Sequence, residues 1–67
     1  MRPMTDPTPL PDLLRQSDDF EAVHRYLHAD DATLARWRDE SWTLDPAELS
    51  RWVRIQRRAR ITKETQP

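Results

Sequence analysis

The sequence predicts an all-α fold, a small three-helix bundle, and three observations carry that prediction. The chain holds no glycine, no asparagine and few β-branched aliphatic residues: Val23, Val53, Ile55 and Ile61. Two-residue hairpin turns need positive φ, which Gly, Asn or Asp supply most readily, so there is little from which to write a sheet. Aspartates precede amphipathic runs, where a carboxylate accepts from the free N–H groups of a first helical turn. Within those runs apolar residues recur at i, i+3, i+4 and i+7, the spacing of one helical face. A length of 67 residues suffices for one small domain.

Residues 1–11 carry prolines at positions 3, 7, 9 and 11, a density that blocks helix and sheet hydrogen bonding. A flexible Pro-rich arm is expected there, followed by a single helical domain over residues 12–61. Pro11 opens a short extra helical turn over Asp12 to Gln16 that buries Leu10, Leu13 and Leu14. Ser17 or Asp18 then caps a helix from Asp19 to about Ala29, with Phe20, Val23, His24 and Leu27 on its inner face. Asp30 or Asp31 caps the next, ending near Glu40, in which Ala32, Leu34 and Trp37 recur. Ser41–Leu44 makes the connection, with Trp42 placed either as an exposed anchor or as a cover over the bundle end.

The clearest helix start is at Asp45. Asp45 is the N-cap, Pro46 occupies the first helical position, and Glu48 lies where its carboxylate reaches back to the cap. At 100° per residue Leu49, Trp52, Val53, Gln56 and Ala59 gather on one side, and Arg51, Arg54, Arg57 and Arg58 spread across the other. The helix is expected to run to about Arg60, with a disordered tail over residues 62–67. The core predicted from these faces is Leu14, Phe20, Val23, Leu27, Leu34, Trp37, Leu49, Trp52 and Val53.

The three helix starts share the pattern D-x-x-x-[VL]-x-R-[YW]. Asp19, Val23, Arg25 and Tyr26 are spaced like Asp30, Leu34, Arg36 and Trp37, and again like Asp45, Leu49, Arg51 and Trp52. Each copy sets a cap, an aliphatic anchor and an aromatic on one face. The arginine falls just off that face, where its stem covers apolar surface and its head stays wet. The offsets of 11 and 15 residues are unequal, unlike the constant period of a solenoid.

Charge is divided along the chain. Residues 1–45 carry five Arg against ten Asp plus Glu, a balance of −5. Residues 46–67 carry five Arg and one Lys against two Glu, a balance of +4. With no cysteine, disulfides and thiolate metal sites are excluded. No apolar run approaches the roughly 20 residues that span a bilayer, and residues 1–11 lack the apolar stretch of a secretory signal. The expected location is cytoplasmic, with no membrane partner.

Nothing in the pattern points to catalysis. Gly-rich phosphate loops, H-E-x-x-H and G-x-S-x-G are absent, and a bundle this small has little room for a substrate pocket. His24 and His28 stand four apart, a spacing that presents two imidazoles to one metal, but no third ligand is specified. No catalytic, cofactor-binding or metal-ligating residue is therefore assigned. The expected function is that of a small non-enzymatic regulatory or adaptor protein. It would bind a protein partner through Trp42 and the basic face formed by Arg51, Arg54, Arg57 and Arg58, since Trp and Arg dominate interface hot spots. A self-associating version would set the acidic face of one copy against the basic helix of another.

The alternative is a DNA-binding regulator in which residues 31–60 form a helix-turn-helix and the Asp45–Arg60 helix enters the major groove. The string Arg51-Trp52-Val53-Arg54 resembles part of the recognition helix of small excisionase-type DNA-binding proteins. The likeness covers those residues alone, and the wing that follows the helix in such proteins has no counterpart. An isoelectric point near 6.0 also departs from the basic balance usual in nucleic-acid modules.

Overall fold

Each of the three longer helices begins behind an aspartate whose carboxylate accepts from the backbone N–H three residues on. Asp18 accepts from Glu21, Asp30 from Thr33 and Asp45 from Glu48, all at 2.8 Å. The computed structural model describes residues 4–65. Its elements are α1 (Leu10–Gln16), α2 (Asp19–His28), α3 (Asp31–Glu40), a 3-10 turn (Ser41–Thr43) and α4 (Pro46–Thr65). The architecture is an all-α four-helix bundle, one short helix and three longer ones, with no strand among the described residues. The longer helices are those expected; the short leading turn is a complete helix. Two-residue connections, Ser17–Asp18 and Ala29–Asp30, reverse the chain without glycine, because their residues take up extended backbone.

A seven-residue helix is too short to persist alone. α1 is held by tertiary contacts: Leu10, Leu13 and Leu14 are all buried, each worth about 1.5–3 kcal/mol. Pro9 offers no capping side chain, and the Glu40 carboxylate of α3 accepts from the Leu10 N–H instead, at 2.7 Å. The most extensive helix–helix contact is that of α2 with α4. At the centre Trp52 meets Tyr26 and Trp37 edge-to-face, with ring centroids 5.5 and 6.1 Å apart. The aromatic position of all three sequence repeats thus converges on one point, the favoured geometry for the aromatic quadrupoles.

The buried stripes differ from those predicted. α2 turns Ala22, Arg25, Tyr26 and Ala29 inward, α3 turns Thr33, Arg36, Trp37 and Glu40, and α4 turns Glu48, Arg51, Trp52 and Ile55. Every set has the i, i+3, i+4, i+7 spacing with the repeat's Arg–aromatic pair in the middle. Val23 and Leu34 lie at the edge of the core, partly buried. Leu49 and Val53 are each 42% exposed and Phe20 is 83% exposed, so these three leave the predicted core. Ile55 and Ala59 are buried together with Trp52, so the inner face of α4 is rotated roughly a quarter turn from the one expected.

The two ends also depart from expectation. Met4–Pro9 is a hydrogen-bonded strap; Met1–Pro3 lie outside the described residues. The Met4 N–H donates to the His28 carbonyl at 2.6 Å, and the Asp30 N–H donates to the Met4 carbonyl at 2.9 Å. Arg25 grips the Asp6 carboxylate with Nε and Nη2, both at 2.9 Å, and reaches the Thr8 and Ser17 hydroxyls. Arg36 donates to the carbonyls of Asp6 and Thr8, and the Trp37 indole N–H donates to the same Thr8 carbonyl at 2.9 Å. The prolines remove donors from this segment; Arg36 and the Trp37 indole supply donors to its carbonyls, and Arg25 to its side-chain oxygens. At the other end α4 continues as helix through Thr65, beyond the expected stop at Arg60; Gln66 and Pro67 lie outside the described residues.

Three carboxylates titrate below their ordinary value of 3.8. At Asp6 burial pushes upward, but the Thr8 and Arg25 hydrogen bonds outweigh it. At Asp19 the Arg51 hydrogen bond dominates, and at Asp30 the hydrogen bonds from Thr5 and Thr33 do. A carboxylate with a lowered folded-state pKa contributes stability that is whole above the unfolded value and lost as pH falls through the folded one. The urea midpoint should therefore stay level as pH falls to about 5 and drop steeply below about 4. Asp6→Asn should flatten that drop; an unchanged acid limb would show that Asp6 is not among the groups responsible.

Candidate interaction surface

Of the four arginines placed on the outer face of α4, Arg51 turns inward. Its stem starts beside Trp52, and its guanidinium reaches the end of α1, where the last carbonyls of a helix lack internal donors. Arg51 Nη1 and Nη2 donate to the Leu14 and Ser17 carbonyls, and Nε donates to Asp19 Oδ1 at 2.7 Å. One planar fork thus caps α1 and ties α4 to the first turn of α2. Arg54 makes a longer contact with the same carboxylate, Nε to Oδ2 at 3.5 Å, and stays mostly exposed.

Arg57, Arg58 and Arg60 are exposed, as is Lys63. None of these four enters an ion pair among the described residues. The last helix is therefore a basic, tryptophan-containing element whose free cations lie in its C-terminal half. Its first turns hold Asp45 and Glu48 instead. Arginines inside the repeat pattern (Arg25, Arg36, Arg51) bind the fold, and those of α4 outside it face solvent.

Trp42 is 88% exposed, the most of any large apolar side chain described. It sits at the middle of the 3-10 turn, which is fixed on both sides. Ser41 Oγ donates to the Arg38 carbonyl at 2.6 Å and Thr43 Oγ1 to the Glu40 carbonyl at 2.7 Å. Leu44 covers the core edge, so the role of cap falls to it and Trp42 projects from a rigid turn. Phe20 and Ile61 are likewise exposed. They escaped the sequence reading for different reasons. Phe20 fits one valid i, i+3, i+4, i+7 series, while the less apolar series starting at Ala22 is the buried one; Ile61 fell at the edge of the expected tail.

Phe20 and Ile61 line a groove between α2 and the C-terminal half of α4, with Val23 and Leu27. A second groove on the opposite flank of α4 passes Tyr26, Leu34, Val53 and Gln56, and it includes the carboxylates of Asp31 and Glu64. His24 and His28 pack edge-to-face at 4.3 Å. No group of three or more His, Cys, Asp or Glu side chains is placed to hold a metal among the described residues. No helix of the described residues is long and apolar enough to cross a membrane.

Of the excisionase-like string, Arg51 and Trp52 face inward, leaving Val53 and Arg54 outside. No protein-family model matches this chain, and no similar curated protein or solved structure was found.

Proposed function

We propose that the protein is a non-enzymatic binding module that docks on a protein partner through Trp42 and the exposed arginines of α4, Arg54, Arg57 and Arg58. Trp42 carries the reading. An indole held 88% exposed on a hydrogen-bonded turn contributes nothing to the core, and its apolar area is costly to leave in water. Tryptophan is among the strongest anchors of protein interfaces, and the hydrogen-bonded turn fixes the backbone that presents this one. Arg51, engaged with α1 and Asp19, leaves the proposed face.

The DNA-binding alternative is the weaker reading on two grounds. A recognition helix presents its N-terminal residues to base edges, and in α4 those turns hold Asp45, Glu48 and the internally engaged Arg51. The ten Asp and Glu residues of the first two-thirds would also repel the phosphates.

The test is site-specific photocrosslinking in the native cell, with a photoreactive phenylalanine analogue at position 42. The expected result is a discrete protein adduct that disappears when Arg57 and Arg58 are both replaced by Ala, while helical circular dichroism is unchanged. An adduct with nucleic acid in place of protein would overturn the reading. So would steeply salt-dependent binding of random duplex DNA that is lost in Arg54→Ala.

A further inference from the structure

We infer that the groove between α2 and the C-terminal half of α4 is a second docking site, shaped for an acidic amphipathic helix of the partner. The inference rests on the protein-binding reading for the existence of a partner, and it adds a site that Trp42 does not touch. The apolar lining of the groove is made by Phe20, Val23, Leu27 and Ile61. Phe20 and Ile61 stand out from the helices that carry them, 83% and 60% exposed. Side chains at this spacing on two neighbouring helices accept the i, i+3, i+4 face of a third helix, the usual way an amphipathic segment is bound.

Charge selects the occupant. Arg58 and Lys63 flank the apolar strip on the α4 side, His24 and His28 on the α2 side, and no carboxylate lines the groove among the described residues. Neither Arg58 nor Lys63 is paired within the chain among the described residues. An apolar strip bordered by unpaired cations is complementary to a helix with leucine-like residues on one face and Asp or Glu beside them. The opposite groove of α4 lacks this uniformity, since Asp31 and Glu64 sit among its cations. A second copy of the chain fits poorly: a two-fold interface brings the same patch to itself, and Arg58 and Lys63 would meet their own equivalents. Two-fold pairing of the groove with itself is thereby disfavoured, and the occupant assigned is a helix of a different chain.

The probe is a synthetic helical peptide of about 15 residues, the length at which an isolated helix becomes marginal in water. It carries leucine at i, i+3, i+4 and i+7 with glutamate at the flanking positions. A second peptide has lysine in place of glutamate. Titrated into the full chain and followed by amide chemical shifts, the glutamate peptide should move Phe20, Leu27 and Ile61. It should bind at least about tenfold more tightly than the lysine peptide, a modest demand for charge selection at an interface. Ile61→Ser and Lys63→Glu lie on exposed positions and should each weaken it by a comparable factor with the helical spectrum retained.

Three outcomes overturn the assignment: equal binding of both peptides, shifts centred on Ser41–Leu44, or no binding at about millimolar peptide. The crosslink at position 42 separates the two readings. If it still captures a protein while the groove fails, only the groove is wrong. If both fail, the protein-binding reading falls with it.

Discussion

Trp37→Ala should abolish cooperative folding at room temperature, or leave a transition lower by roughly 12–40 °C. A buried tryptophan reduced to alanine costs about 3–5 kcal/mol. A chain of this length holds about 3–10 kcal/mol in all, and each kcal/mol moves the midpoint of so small a domain by about 4–8 °C. Trp37 is fully buried against Trp52 and the leucines of α1. It also ties the strap to α3, since its indole N–H donates to the Thr8 carbonyl at 2.9 Å. Trp37→Phe separates the contributions: it retains most of the ring and removes the donor, so the Thr8 carbonyl keeps only Arg36. It should cost less than Trp37→Ala by at least about 1 kcal/mol. Thermal unfolding followed by far-UV circular dichroism measures both. A Trp37→Ala variant within about 1 kcal/mol of the parent would mean that the bundle collapses into the vacated space and that Trp37 is not its keystone.

The fold class was legible because the caps and the absence of glycine are local facts. Asp45 was read as a cap and is one, and of the alternatives Asp30 and Asp31 the cap is Asp30; the expected limits of α2 and α3 lie within a residue or so of those observed. The rotation of each helix was not legible from hydrophobicity, which ranks Phe20, Leu49 and Val53 above Ala22, Thr33, Ala59 and the arginines that turn inward. The buried stripes contain an arginine, and an arginine scores as surface unless one knows that acceptors await it. Those of Arg36 and Arg51 include carbonyls of the strap and of the end of α1, tens of residues away in sequence. The Arg–aromatic pair of the repeat was the available signal. It recurs in all three helices, and in each it marks the inner face. For the same reason the proline-rich strap read as loose: its partners are the heads of Arg25 and Arg36, which were expected to remain in water. Trp42 was left open between an exposed position and a cap; it is exposed, and Leu44 packs at the core edge. The groove lined by Phe20 and Ile61 was missed because it depends on the rotation of α2 and on the continuation of α4 through Thr65.

Arg51→Ala should destabilise the protein by about 2–3 kcal/mol, whereas Arg57→Ala should change stability by no more than about 0.5 kcal/mol. Both lie on the same helix, six residues apart, and the sequence gives them the same character. Removing the Arg51 guanidinium takes the donors from the Leu14 and Ser17 carbonyls and leaves Asp19 with only the distant Arg54 contact at 3.5 Å. Hydrogen bonds from a charged group contribute about 1.5–3 kcal/mol each when buried. The side chain is 24% exposed, so solvent recovers part of the loss and the sum is well below three full bonds. Arg51→Lys keeps the charge but presents a point donor where the geometry needs a fork spanning three acceptors. It should recover less than half of the loss. Urea unfolding of the three variants measures the ordering. If Arg51→Lys were as stable as the parent, the network would be a matter of charge alone and α1 would need no fixed cap. The contrast also governs how binding data on α4 are read. A weaker interaction in Arg51→Ala reports a loosened α1–α2–α4 junction and displaces the groove with it. In Arg57→Ala and Arg58→Ala the scaffold stays in place, so a loss of partner binding in them is a loss at the surface itself.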